Sequence, residues 1–172
     1  MILKAFKEKS NQKYINRLLN AASNRDKHAI VKSVGVVLNV DEFTDVEVFN
    51  RFFKELGLQE ANTKIVSFAK DPKTSNELWG AYFNAKHIGW NGKIKHPDLQ
   101  HFVNTAYDVL ICFYNSKHVE LDVIATSSKA HFKVGISSSD PRLYDLIIGV
   151  ETSQFPIFKQ ELIKYLTVLN KL

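Results

Sequence analysis

The sequence predicts an α/β fold, a three-layer α/β/α sandwich on a mostly parallel sheet. Two segments that both open with Tyr-Asp, residues 107–113 and 144–150, continue as unbroken apolar runs. A strand with one face in water alternates apolar and polar residues, whereas a strand covered on both faces does not. Both runs are therefore expected to be central strands. Their alternation with helical patterns indicates a sheet between two helical layers.

The first half of the chain begins this alternation. Residues 4–23 carry apolar side chains at helical spacing, which predicts a helix. Residues 31–40 are rich in valine and predict the first strand. Thr44 and Glu47 have the spacing of a capping box, so a second helix is expected to start there and to end at Gly57.

The second half continues the alternation after an irregular stretch. Residues 63–69 predict the second strand, and residues 70–95 contain turn sequences at Asp71-Pro72 and Trp90-Asn91-Gly92. The remaining predicted elements are a helix over residues 96–104, the first Tyr-Asp strand, a helix over residues 119–126, a strand over residues 132–136, the second Tyr-Asp strand and a closing helix from Pro156.

The two Tyr-Asp segments carry two further expectations. The segment between Ile136 and Tyr144 is too short for a helical crossover, so one of the last strands is expected to be an antiparallel edge strand. Asp108 and Asp145 stand at the amino ends of their strands, opposite the edge where parallel sheets bind ligands. We expect these aspartates to bond loop amides and to take no part in chemistry.

The composition is that of one globular domain. The chain has 172 residues, 45% hydrophobic and 24% charged, which is ordinary for a soluble protein. No apolar run is long enough to span a bilayer, and the first residues lack the apolar core of a signal peptide. The single cysteine, Cys112, lies in a predicted strand, where a buried reduced thiol is expected. A cytoplasmic location follows as a prediction.

Positive charge is concentrated at the N-terminus. Residues 1–33 carry eight lysines and arginines against two acids, whereas the rest of the chain carries 15 against 16. This asymmetry divides the chain into a basic N-terminal helix with its linker, residues 1–28, and a single α/β domain, residues 29–172.

Five segments carry a resemblance to a known family. They are residues 90–92, 107–111, 130–135, 145–148 and 161–166, which read Trp-Asn-Gly, Tyr-Asp-Val-Leu-Ile, Ala-His-Phe-Lys-Val-Gly, Asp-Leu-Ile-Ile and Glu-Leu-Ile-Lys-Tyr-Leu. Together they resemble a family of uncharacterised cytoplasmic proteins from Bacteroidota, a domain of unknown function. The resemblance covers most of the chain, including the basic first helix. It implies a stand-alone domain of this length and carries no activity over.

The chain has no recognisable catalytic, cofactor or metal motif. The junction after the first strand lacks glycine and carries Asp41 and Glu42, which would repel a phosphate, so no cofactor is predicted. His96 and His101 are five residues apart and would lie on different helix faces, so no metal site is predicted. There is no Gly-x-Ser-x-Gly elbow either. Catalytic residues stay unknown, and a non-catalytic role is favoured.

The basic helix supports the leading functional hypothesis, a module that binds a partner protein or an anionic polymer such as RNA. Cations along a helix attract phosphates, and a nearby tryptophan can stack a base. Ile2, Leu3 and Phe6 beside lysines also suit an anionic membrane surface, although residues 7–13 contain no apolar side chain. A solvated lysine face on a core-packed helix is the plainer alternative. The candidate residues are Lys4, Lys7, Lys9, Lys13, Arg17, Trp90 and Lys93.

The second hypothesis is a small-molecule enzyme or sensor that uses the crevice at the carboxyl ends of the strands. Open parallel sheets bind ligands there. Helix capping is the simpler account of the polar residues at this edge. The candidate ligand-binding residues are Asn39, Asp41, Asp71, Asn115, Ser116 and Glu151.

Overall fold

In the part of the chain that the structure describes, the sheet has six strands, and every pairing between them is parallel. The computed structural model describes residues 1–21, 24–71, 73, 81–137 and 140–172. The spatial order is β3-β2-β1-β4-β5-β6. The strands are β1 (Val34–Asn39), β2 (Thr63–Phe68), β3 (Ala81–Phe83), β4 (Val109–Phe113), β5 (Phe132–Gly135) and β6 (Leu146–Ile147).

Helices cover both faces of the sheet, which confirms the predicted three-layer sandwich. One apolar core contains residues of α1, α3 and α4, and the other contains residues of α2 and α5. β4 is buried along its whole length between the two cores, as its unbroken apolar run predicts. The helices are α1 (Ile2–Asn20), α2 (Val46–Glu55), α3 (Pro97–Asn104), α4 (Val119–Ser127) and α5 (Phe155–Val168).

Two expectations about the second Tyr-Asp segment are wrong. β6 runs parallel to β5, and it is the edge strand of the sheet, not a central one. A full crossover helix is unnecessary because β6 is only two residues long and a 3-10 turn, Pro141–Leu143, brings the chain back. The segment is still apolar because Ile148, just after β6, is buried in the core beneath α5. Residues 138–139 of the connection lie outside the described residues.

The start of α2 differs by one residue from the capping box in the sequence. Asp45, not Thr44, is the N-cap, and its carboxylate accepts a hydrogen bond from the Val48 amide at 3.2 Å. Asp competes well with Thr at this position, and its charge also suits the positive end of the helix dipole. Gly57 follows the helix with φ of 74°, which confirms it as the left-handed C-terminal residue.

The aspartates of the Tyr-Asp segments hold loops, as predicted. The Asp108 carboxylate accepts hydrogen bonds from the Lys32 and Ser33 amides, at 2.9 and 2.8 Å. The Asp145 carboxylate accepts one from the Lys133 amide at 2.8 Å and pairs with the Arg25 guanidinium at 3.1 Å. Both carboxylates therefore fasten the linker and strand starts at the amino edge of the sheet.

Candidate functional site

The strand order places a topological switch point between β1 and β4. Chain connections leave β1 toward β2 and β3 on one side and leave β4 toward β5 and β6 on the other. In doubly wound sheets a crevice opens there, beyond the carboxyl ends of the strands, and commonly holds a nucleotide. The loops that follow β1 and β4 are therefore the first place to look for a ligand site.

A carboxylate of the protein itself occupies this position. Glu42, in the loop after β1, accepts hydrogen bonds from the Asn115 amide at 2.6 Å and the Ser116 amide at 2.9 Å. The Ser116 hydroxyl also donates to it, and the Asn39 side-chain amide donates at 3.0 Å. Two backbone amides and two side chains thus converge on one anion.

The pKa of Glu42 is lowered from its ordinary value. Burial by itself favours the neutral acid, but the hydrogen bonds from Ser116, Asn115 and Asn39 favour the charged form and outweigh it. Glu42 is therefore ionised at neutral pH. The amides after β4, which could bind a phosphate in this fold class, already donate hydrogen bonds to the Glu42 carboxylate.

Three of the predicted ligand-binding residues, Asn39, Asn115 and Ser116, come together around Glu42. Their polar groups form hydrogen bonds within the protein. The Asn39 side-chain amide also donates to the Ser116 hydroxyl at 2.9 Å. The Asn115 side chain donates to the Val150 carbonyl at 3.0 Å and accepts from the Thr152 amide at 3.0 Å. This network ties the loops after β1, β4 and β6 to one another.

The side chains of the other three predicted ligand residues do not join this cluster, although the Asp41 backbone amide donates to the side-chain oxygen of Asn39 at 3.1 Å. The carboxylate of Asp41 is exposed, and Asp71 accepts a hydrogen bond from the Lys73 amide at 2.9 Å within its own turn. Glu151 caps the 3-10 turn Thr152–Gln154. No contact joins the carboxylates of Asp41 and Glu151 in the described part of the chain.

The basic helix α1 is docked on the body of the domain. Ile15 is buried in the core, and the buried side-chain oxygen of Asn11 accepts a hydrogen bond from the Gly92 amide at 2.9 Å. Tyr14 lies against Gly92 and its hydroxyl is 3.0 Å from that of Ser127 in α4. The turn Trp90–Gly92 and α4 thus hold one face of α1 in a fixed orientation.

The opposite face of α1 carries the cations. Ile2, Phe6, Lys9, Lys13 and Arg17 follow at intervals of four, three, four and four residues and are all exposed. We call this set the outward stripe. Among the described residues none of its three cations forms an ion pair.

The remaining predicted anion-binding residues surround this stripe or lie apart from it. Lys7 turns toward the body, where its ammonium donates to the Ala85 carbonyl at 2.8 Å. Lys4 lies 3.9 Å from the Glu8 carboxylate. Trp90 and Lys93 are exposed in the turn region that docks α1.

Cys112 is a buried thiol, as the sequence predicts. It lies in the middle of β4 and is fully buried, and this burial raises its pKa to about 12. A thiolate is the nucleophilic form of cysteine, so Cys112 is inert at neutral pH.

A buried lysine lies nearby, and it makes stability depend on pH. The Lys133 ammonium donates to the Ala125 carbonyl at 2.6 Å and the Thr126 carbonyl at 3.3 Å, and burial, followed by the neighbouring Arg25, lowers its pKa to about 8. The unfolded chain keeps this proton up to a higher pH than the folded chain does. The free energy of unfolding therefore rises as the pH increases from the folded pKa of about 8 to the unfolded pKa of 10.5. Between about pH 7.5 and about pH 9.5, urea unfolding should show wild type gaining roughly 2 kcal/mol relative to Lys133→Met. Parallel curves for the two proteins would contradict this.

Within the described residues, no group of three His, Cys, Asp or Glu side chains is placed to hold a metal ion. In the same part of the chain, no helix has the length and apolar character needed to cross a membrane.

These observations define a doubly wound, all-parallel α/β domain whose switch point is closed by its own glutamate. The chain belongs to a family of unknown function, DUF6913, whose family model matches residues 7–169. No curated protein matches the chain. The match begins within α1 and includes its docked residues Asn11, Tyr14 and Ile15.

Proposed function

We propose that this protein is a non-catalytic binding module that contacts an anionic partner through the outward stripe of α1. The observation that carries the proposal is the line of Lys9, Lys13 and Arg17 on a docked helix, without an ion pair among the described residues. A partner that supplies phosphates or carboxylates along this line would meet three cations at once.

The docking of α1 favours such binding. Asn11 and Tyr14 hold the helix against the turn Trp90–Gly92, so the cations do not have to be ordered when the partner arrives. Binding then loses less conformational entropy than it would with a free basic tail. Trp90 and Lys93 border the same helix and extend the surface that a partner can contact.

Charge reversal of the stripe tests the proposal. We expect the triple variant Lys9→Glu, Lys13→Glu and Arg17→Glu to lose binding to a fluorescent single-stranded RNA, used as a soluble polyanion, in anisotropy titrations. If RNA binding to these three cations releases counterions, the slope of log affinity against log salt concentration should be steeper for wild type than for the variant by about 2. Substitution is preferable to truncation because removal of α1 would also remove Ile15 from the core.

A matched variant separates local from overall charge. Lys54, Lys64 and Lys129 are exposed lysines outside α1, and their triple change to glutamate alters net charge by the same amount. This control should retain most of the RNA affinity. Equal losses of RNA affinity in the two triple variants would show that binding depends only on net charge, and this result would overturn the proposal.

The alternative of a small-molecule enzyme or sensor at the carboxyl edge has less support. Asn39, Asn115 and Ser116 already form hydrogen bonds with Glu42 and neighbouring loops, so a ligand would have to displace these bonds. The cytoplasm remains our proposed compartment, in keeping with the single buried Cys112. A Bacteroidota source and a domain boundary at residue 28 likewise stay predictions from the sequence.

A further inference from the structure

The first turn and a half of α1 exposes large apolar side chains. Ile2 is 73% exposed, Leu3 75% and Phe6 57%. We call these three residues the apolar tip. Single exposed apolar residues are common, but three within one and a half helical turns form a patch that usually marks an interaction site.

The apolar tip is continuous with the cations of the outward stripe. Ile2 and Phe6 belong to the same helix face as Lys9 and Lys13, so one side of α1 is apolar at its start and cationic further along. Trp90, 48% exposed, lies beside this helix because its neighbour Asn91 exchanges hydrogen bonds with Ser10. Tryptophan and lysine are the side chains enriched where proteins meet the headgroup region of a bilayer.

We propose that the anionic partner is an anionic lipid surface, on which α1 lies with the apolar tip inserted among the acyl chains. This inference rests on the proposed function, since it assigns a partner to the same helix face. Ile2, Leu3 and Phe6 would supply the buried apolar area, while Lys9, Lys13 and Arg17 would face the lipid headgroups.

Lipid fits this face better than a nucleic acid or an acidic protein. A polyanion would neutralise the cations but would leave the apolar tip in water. A bilayer satisfies both parts, because its headgroups carry the charge and its acyl chains accept the apolar side chains. The fixed docking of α1 also keeps the body of the domain above the bilayer plane, so no spanning helix is needed.

Vesicle flotation tests the inference with the full chain. We expect wild type to float with vesicles of phosphatidylcholine and phosphatidylglycerol and to stay at the bottom with phosphatidylcholine alone. The triple variant Ile2→Ser, Leu3→Ser and Phe6→Ser should lower the partition coefficient about a thousandfold, since full burial of each of the three side chains is worth about tenfold or more. Its melting temperature should match that of wild type, because the apolar tip makes no contact with the core.

A control variant tests whether loss of any exposed apolar surface lowers flotation. It changes three exposed apolar residues near the other end of the chain to serine, namely Ile157, Val168 and Leu172. This variant should float as well as wild type.

Tryptophan emission gives a second readout. The chain has two tryptophans, so in a Trp79→Phe variant the emission comes from Trp90. Anionic vesicles should shift this emission to the blue, and brominated lipids should quench it.

The outcomes separate this inference from the proposed function. If wild type binds RNA through the stripe but does not float, the lipid inference is overturned and the proposed function stands. If the tip variant floats as well as wild type, the apolar tip is not the insertion element, and the inference also fails. If neither RNA nor vesicles bind, both fall.

Discussion

Replacing Glu42 with alanine is expected to lower the free energy of unfolding by about 3 kcal/mol, a large share of a typical domain's stability. The variant would leave the Asn115 and Ser116 amides without their acceptor and would release the loop after β1 from the loop after β4. Bonds to a charged acceptor are the stronger kind of hydrogen bond, but the partial exposure of Glu42 keeps the figure moderate. Urea unfolding measures the loss.

The effect should depend on pH in a defined direction. The folded pKa of Glu42 lies below its ordinary value of 4.5. The contribution of this carboxylate is therefore fully present above that value and is lost as pH falls through the folded pKa. Wild type and Glu42→Ala should consequently differ most near neutral pH and should converge in acid. A difference that grows as pH falls would contradict this account.

Two further measurements isolate the carboxylate. Acetate at about 0.1 M should raise the melting temperature of Glu42→Ala more than chloride of equal ionic strength, because a free carboxylate can bind the vacated donors. Wild type should show no such difference. Asp41→Ala removes a neighbouring, exposed carboxylate and should change stability by less than about 0.5 kcal/mol.

The sequence predicts the layers of this fold better than its edges. β4 is predictable because an unbroken apolar run fits a strand that is covered on both faces. α2 is predictable because its apolar residues repeat with a period of 3.6 residues, as on a helix with one buried face. β6 is not, because its own residues Leu146 and Ile147 are only partly buried at the edge of the sheet, and the buried residue of the segment, Ile148, follows the strand and lies in the core beneath α5. Apolar content reports burial, and it does not distinguish a central strand from an edge strand that is covered by a helix.

The candidate site, like the fold, is predictable from the sequence only in part. The position of Asn39, Asn115 and Ser116 at one edge follows from the parallel sheet, which the sequence predicts. That Glu42 would occupy the donors does not follow, because its acceptor geometry depends on β1 and β4 being neighbours. The acids after β1 predict a poor phosphate site in this loop, and the bonds from the Asn115 and Ser116 amides to Glu42 are in keeping with that prediction. The docked face of α1 is predictable in part, because Ile15 lies on the apolar stripe of residues 4–23, whereas the contacts of Asn11 and Tyr14 with Gly92 depend on a turn that is distant in the sequence.

Gly92→Ala is expected to cost about 3 kcal/mol or more and to loosen α1. Gly92 has φ of 67°, which disfavours any side chain, and an added Cβ would clash with the Tyr14 ring. Two glycine controls separate these causes. Gly57 has φ of 74° but open space, so Gly57→Ala should cost about 1 kcal/mol. Gly149 has open space without a positive φ, so Gly149→Ala should be nearly neutral. If Gly92→Ala costs no more than Gly57→Ala, the ring does not pack there.

A double-mutant cycle shows whether this contact is what docks the helix. In a Tyr14→Ala background the clash is absent, so Gly92→Ala should cost only the backbone penalty, and the two changes should couple by about 2 kcal/mol. A helix the length of α1 is only marginally stable on its own, so loss of the contact also disorders the line of cations. Gly92→Ala alone should therefore weaken RNA binding and vesicle flotation without changing a single charge. If binding survives an undocked α1, a flexible basic segment is sufficient, and the fixed outward stripe has no role in recognition.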